Sequence, residues 1–156
     1  MSDQRCRQTL PRSARIRSRE AFARIFRQSI RASDGWITLY AVRTETDAAA
    51  DEVGTAPDQA GGAHDQAGDA HDQAGDARLG ISVGRRIGSA VRRNRVKRLV
   101  REAFRRLRHQ LPPGVDWVIV PKPGREPTVP DLQRSIRKLA HRLQARLGLD
   151  PTARQQ

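Results

Sequence analysis

Six side chains between positions 94 and 108 set the chemistry open to this sequence. At 100° per residue, Asn94, Lys97, Arg98, Arg101, Arg105 and Arg108 fall within a sector of about 100° on one helix. Five are cations and none is a carboxylate, since Glu102 lies to the side. Charged helix faces are often only solvated, but those usually mix signs. Like charges on successive turns repel by a few tenths of a kcal/mol per pair, so a polyanion offsets them best and nucleic acid is the leading partner. No carboxylate cluster near this row could hold two metal ions, and no catalytic residue is assigned.

The row needs a helix beneath it. Val96, Leu99, Val100, Ala103, Phe104 and Leu107 recur at i, i+3, i+4, i+7, i+8 and i+11, which predicts a helix from about Ser89. Ser89 is the expected N-cap, and Pro112-Pro113-Gly114 stops the helix. Gly84 and Gly88 bracket Arg85-Arg86, so a strand ending near Val83 leads through a turn into a helix N-terminus, where free N–H groups suit a phosphate.

The run Gly88-Ser-Ala-Val-Arg-Arg-Asn-Arg-Val-Lys-Arg98, preceded by Gly80-Ile-Ser-Val83 and followed by Arg101-Glu-Ala-Phe104, closely resembles the signature of the bacterial ribonuclease P protein component. Two departures are Ser89, where that family usually has Asn, and Arg85-Arg86, where it has Lys-Lys. Serine caps as well as asparagine, and arginine binds phosphate at least as well as lysine. The resemblance implies that Arg93, Asn94, Arg95, Lys97, Arg98, Arg101 and Arg105 hold the catalytic RNA. It also implies that this RNA, with its Mg²⁺, hydrolyses the phosphodiester while the protein grips the 5′ leader of precursor tRNA and screens charge.

Upstream, Ser18 caps a short predicted helix in which Phe22, Ile25 and Phe26 share a face. On spacing alone the two phenylalanines read as core. The resemblance instead implies that they line the leader cleft, with Tyr40, Arg15, Ser82 and Arg86 beside them; aromatic faces stack on unpaired bases without sequence preference. Trp36–Val42 reads as a strand with Ile37, Leu39 and Ala41 on one face and Trp36, Thr38 and Tyr40 on the other. Arg78–Val83 and Asp116–Pro121 read as further strands. Thr128 with Asp131 approximates a capping box for a last helix carrying Leu132, Ile136, Leu139, Ala140, Leu143 and Leu147, closed by Gly148.

The expected fold is α+β in one domain, in the order α-β-β-β-α-β-α, with a mostly antiparallel sheet of about four strands. The resemblance implies a left-handed β-α-β crossover. Residues 1–16 read as a basic flexible arm, 17–148 as the RNA-binding domain and 149–156 as a flexible tail. Residues 46–77 carry three copies of a seven-residue unit without a large apolar side chain, and read as a disordered acidic insert. The chain's net charge is +13, but the insert holds eight acids and no base, so the rest is more basic still. With no apolar run of spanning length and no signal-like hydrophobic stretch, a cytoplasmic protein is expected. Cys6 is the single cysteine, which excludes an intrachain disulfide. Two rival readings stand: a basic-helix DNA reader, against which no zipper heptads follow Phe104, and a ribosomal-type structural RNA binder.

Overall fold

A strand over Ile37–Arg43 divides the molecule in two, because its burial alternates residue by residue. Ile37, Leu39 and Ala41 face a large core, while Thr38, Tyr40 and Val42 face the other way. This strand is β2 of a computed structural model that describes residues 10–44, 77–124 and 126–149. Before it come α1 (Arg19–Gln28) and β1 (Ile30–Ser33). After it come β3 (Arg78–Ile81), a 3₁₀ turn (Arg85–Ile87), α2 (Ala90–Leu107), a second 3₁₀ turn (Arg108–Gln110), β4 (Val115–Pro121) and α3 (Val129–Arg146). The order is α-β-β-β-α-β-α, as the sequence predicts.

The sheet runs β1-β2-β4-β3; β1–β2 and β2–β4 are antiparallel, and β3 lies parallel to β4 with α2 as the crossover. One face carries α2 and α3 over Leu79, Trp117 and Ile119; Trp117, Phe104 and Leu139 are among its fully buried side chains. Each such large apolar residue contributes roughly 1.5–3 kcal/mol. Among the described residues the other face is covered by α1, whose Ile25 meets Val118 and Ile16 in a smaller cluster. The predicted caps form: Ser18, Ser89 and Thr128 each accept a backbone N–H, and Thr128 with Asp131 completes the capping box. Gly148, which follows α3, has a positive φ of 65° that suits glycine.

Three expectations change. Residues 10–16 are not loose: Leu10, Ala14 and Ile16 are buried, Ile16 N–H donates to Leu79 O, and Leu79 N–H donates to Ala14 O. The segment extends the β3 edge and so satisfies backbone groups that edge would leave open. Trp36 precedes β2 and packs against the large core rather than with Tyr40, because strand alternation begins only at Ile37. Leu149 packs against that core as well, instead of opening a flexible tail. Residues 46–76 of the acidic insert, Arg125 and the rest of both termini lie outside the described residues, whereas Ala77, the last residue assigned to the insert, is buried in the large core.

Candidate nucleic-acid interface

The side chains singled out in the sequence gather on two surfaces, one shaped by α1 and the other by α2, on opposite faces of the sheet. On the α1 face, Phe22 and Phe26 stand four residues apart, and their rings lie 6.3 Å apart at 32°. Phe26 then meets Tyr40 edge to face, with centroids 4.9 Å apart at 86°. Phe22 reaches across the same face to β3 and covers Gly80: a Cβ there would stand 2.9 Å from its Cζ. The three rings thus form a strip running from β2 over β4 to β3. Phe22 is half-buried, whereas Phe26 is 42% exposed. Phe26 is therefore the ring best placed to receive a base, and Phe22 supports it.

Beyond the strip stand the remaining side chains expected near the leader. Ser82 continues the β3 ladder through its N–H to Ile119 O, in alternation with Gly80, and so shares the α1 face. Arg86 is exposed on the turn that follows. Arg15 lies between the two surfaces. It bridges to Leu79, and its buried Nε has no hydrogen-bond partner among the described residues. Burial first, and then the charges of Arg101, Arg17 and Arg12, lower its pKa. A guanidinium so placed gains from an anion.

α2 buries Val96, Val100, Ala103, Phe104 and Leu107 and turns its cations outward. These cations fall into two groups. On one flank Arg92 donates to Gly124 O at 2.7 Å and Arg95 Nε pairs with Glu126 at 2.8 Å, tying α2 to the segment before α3. Arg105 and Arg106 share Glu102, at 2.8 Å and 2.7 Å. The hydrogen bond from Arg105, seconded by Arg106, lowers the Glu102 carboxyl to about 2. The second group is Arg93, Asn94, Lys97, Arg98 and Arg101, for which no ion pair is found among the described residues, although Arg105 shares their sector of the helix. Of the seven residues expected to hold the catalytic RNA, these five form the open row, while Arg95 and Arg105 are already partnered. The Glu102–Arg105 spacing of i, i+3 carried that signal in the sequence; the Glu126–Arg95 pair did not show there.

Among the described residues no three carboxylates, imidazoles or thiols converge on a metal site. Nor is any described helix long and apolar enough to cross a membrane.

Comparison with known proteins bears on the assembly as a whole. The family model described as Ribonuclease P matches residues 10–144. The ribonuclease P protein component of Brevibacillus brevis is 35% identical over 115 residues, covering 74% of this chain and 70% of that protein. That of Shouchella clausii is 47% identical over 60 residues, 38% of this chain and 49% of its own length. Among solved structures, the RNase P protein of Thermotoga maritima superposes with a TM-score of 0.58 at 24% identity, over 82% of this chain and 96% of that one. A Staphylococcus aureus RNase P protein gives 0.56 at 21% identity, over 81% and 91%. At these identities the two structures speak for the fold alone.

Proposed function

The chain belongs to the ribonuclease P protein family and acts as the protein subunit of ribonuclease P in tRNA processing, with the RNase P RNA as its partner; from this we propose how its two surfaces divide the work. The open row of α2, Arg93, Asn94, Lys97, Arg98 and Arg101, holds the catalytic RNA through phosphates. The Phe22–Phe26–Tyr40 strip, with Ser82 and Arg86 at its end, takes the single-stranded 5′ leader of precursor tRNA by stacking and backbone contact. Arg15 joins the two. Hydrolysis and its Mg²⁺ belong to the RNA, and this chain supplies charge screening and grip. The observation that carries the reading is the placement of an aromatic strip with one exposed ring, Phe26, and an open arginine row on opposite sides of one sheet. Neither rival reading is favoured by the family match.

The test is to separate the surfaces. Arg98→Ala with Arg101→Ala should weaken the complex with the catalytic RNA and flatten its salt dependence, by about 0.9 of a log–log slope unit per lost phosphate contact. The same variant should leave the preference for leader-bearing over mature tRNA intact in whatever complex forms. An unchanged salt slope rejects the α2 row as the RNA contact. Loss of the leader preference rejects the division of labour.

A further inference from the structure

A second row of cations, on α3, has no part in the account so far. α3 commits Leu132, Ile136, Leu139, Ala140 and Leu143 to the core. On the opposite side, at i, i+3, i+4, i+7 and i+8, stand Arg134, Arg137, Lys138, His141 and Arg142, all exposed. The one acid of the helix, Asp131, sits at its N-terminus in the capping box. Among the described residues Arg137 donates to neutral Gln110 Oε1 at 3.3 Å. Arg134 and Arg142 make no hydrogen bond or ion pair among the described residues. The row spans about 12 Å at 1.5 Å per residue; Lys138 has the Asp34 carboxylate near it, and the arginines of the row repel one another.

This row is separate from that of α2. At 100° per residue, Arg92, Arg95 and Arg106 lie on the flank of α2 away from Lys97 and Arg101. They are satisfied by Gly124 O, Glu126 and Glu102. α2 packs beside β3 and α3 beside β1 and β2, so the two open rows belong to different helices with already partnered arginines between them. The apolar stripe of α3 is fully buried and offers a bilayer nothing to insert. α3 also lies across the sheet from the aromatic strip, out of reach of a leader lying on α1.

We infer that the exposed face of α3 is a second phosphate-binding surface, filled by the backbone of the catalytic RNA at a segment other than the one held by α2. Arginine predominates in the row, and its planar fork matches phosphate in two-point contact. The inference rests on the proposed RNA partner and extends it to a new surface.

The test uses the full chain with a bacterial RNase P RNA. Arg134→Gln, Lys138→Gln and Arg142→Gln together change three exposed side chains, and an unchanged melting temperature verifies the fold. The variant should bind at least tenfold more weakly at low salt, with the log–log salt slope reduced by about two to three units. Hydroxyl-radical footprinting should lose one patch of backbone protection and keep the patch that Arg98→Ala with Arg101→Ala removes. An unchanged slope and footprint would make the row a solvated face and overturn the inference. So would weakening confined to precursor tRNA. A wild-type chain that gives no footprint at all would instead overturn the underlying RNA reading, so the two failures are distinct.

Discussion

Replacing Gly80 with alanine should disturb the proposed leader surface by displacing Phe22, without replacing any side chain proposed to contact RNA. The new Cβ would stand 2.9 Å from Phe22 Cζ, 3.0 Å from its Cε1 and 3.0 Å from Val118 Cγ2. Val118 is fully buried and is the register partner of Gly80 in the parallel β3–β4 pair, so the strands have little room to part. The Phe22 ring, half-buried at the rim, is what gives. Overpacking costs about 1–3 kcal/mol in a closed core; with an outward escape the lower end, about 1 kcal/mol, is expected here. The displaced ring no longer lines up with Phe26, and if one leader base stacks on the strip, about 1–3 kcal/mol of binding depends on that alignment. A loss of roughly tenfold in affinity follows. The assay compares binding of leader-bearing precursor tRNA and mature tRNA to the complex assembled with each protein. A selective loss for the leader-bearing substrate is expected, with binding of the catalytic RNA unchanged. Equal affinity of wild type and variant for precursor tRNA, at a lowered melting temperature, would refute the reasoning, because the ring would have moved without consequence.

Further consequences can be checked on the same protein. Phe26→Leu keeps apolar bulk but removes the stacking face and the contact with Tyr40, so stability should fall by about 1 kcal/mol and leader affinity by more than the Gly80 variant loses, as read by melting and by the same paired binding assay. Asp116 is fully buried, accepts two hydrogen bonds from Arg78 at 2.7 Å and 2.6 Å, and accepts the Thr44 hydroxyl at 2.8 Å. Asp116→Asn strands the Arg78 charge and should lower stability by about 2 kcal/mol in denaturant unfolding, less than a wholly buried pair because Arg78 is partly exposed. Glu102 has a folded-state pKa near 2 against an ordinary 4.5, so its ion pairs add stability above pH 4.5 that disappears as the pH falls toward 2. Glu102→Gln should therefore cost less than about 1 kcal/mol at neutral pH, since the pair is exposed, and the gap from wild type should close by about pH 2 in acid titration.

Most of the fold could be read in the sequence wherever a pattern was long enough to show its period. The six apolar positions of α2 and the alternation of β2 are such cases, and both caps and strand faces follow from them. β1 was not located because four residues, Ile30–Ser33, are too few to show a period. Its signal lay in the turn, where Asp34-Gly35 precedes β2 and the Asp34 carboxylate accepts the N–H groups of Trp36 and Ile37. Residues 10–16 looked like an arm because their arginines dominate the composition, while Leu10, Ala14 and Ile16 are buried by partners far along the chain. The aromatic strip was legible residue by residue but not in its ranking: only the approach of Phe22 to Gly80 shows that Phe26 is the open ring. The division of the α2 arginines into partnered and open depended on Glu126, thirty-one positions from Arg95, which no local pattern reveals.

The central claim is that this chain assists an RNA catalyst and carries no nuclease of its own, and reconstitution tests it most directly. Nuclease-free protein should leave precursor tRNA intact at any Mg²⁺ concentration. Added to a bacterial RNase P RNA at low Mg²⁺, where phosphate repulsion is poorly screened, it should bring about removal of the 5′ leader that the RNA alone does not achieve. Metal-dependent 5′ cleavage by the RNA-free protein, or no gain in cleavage when the two are combined, would contradict the account.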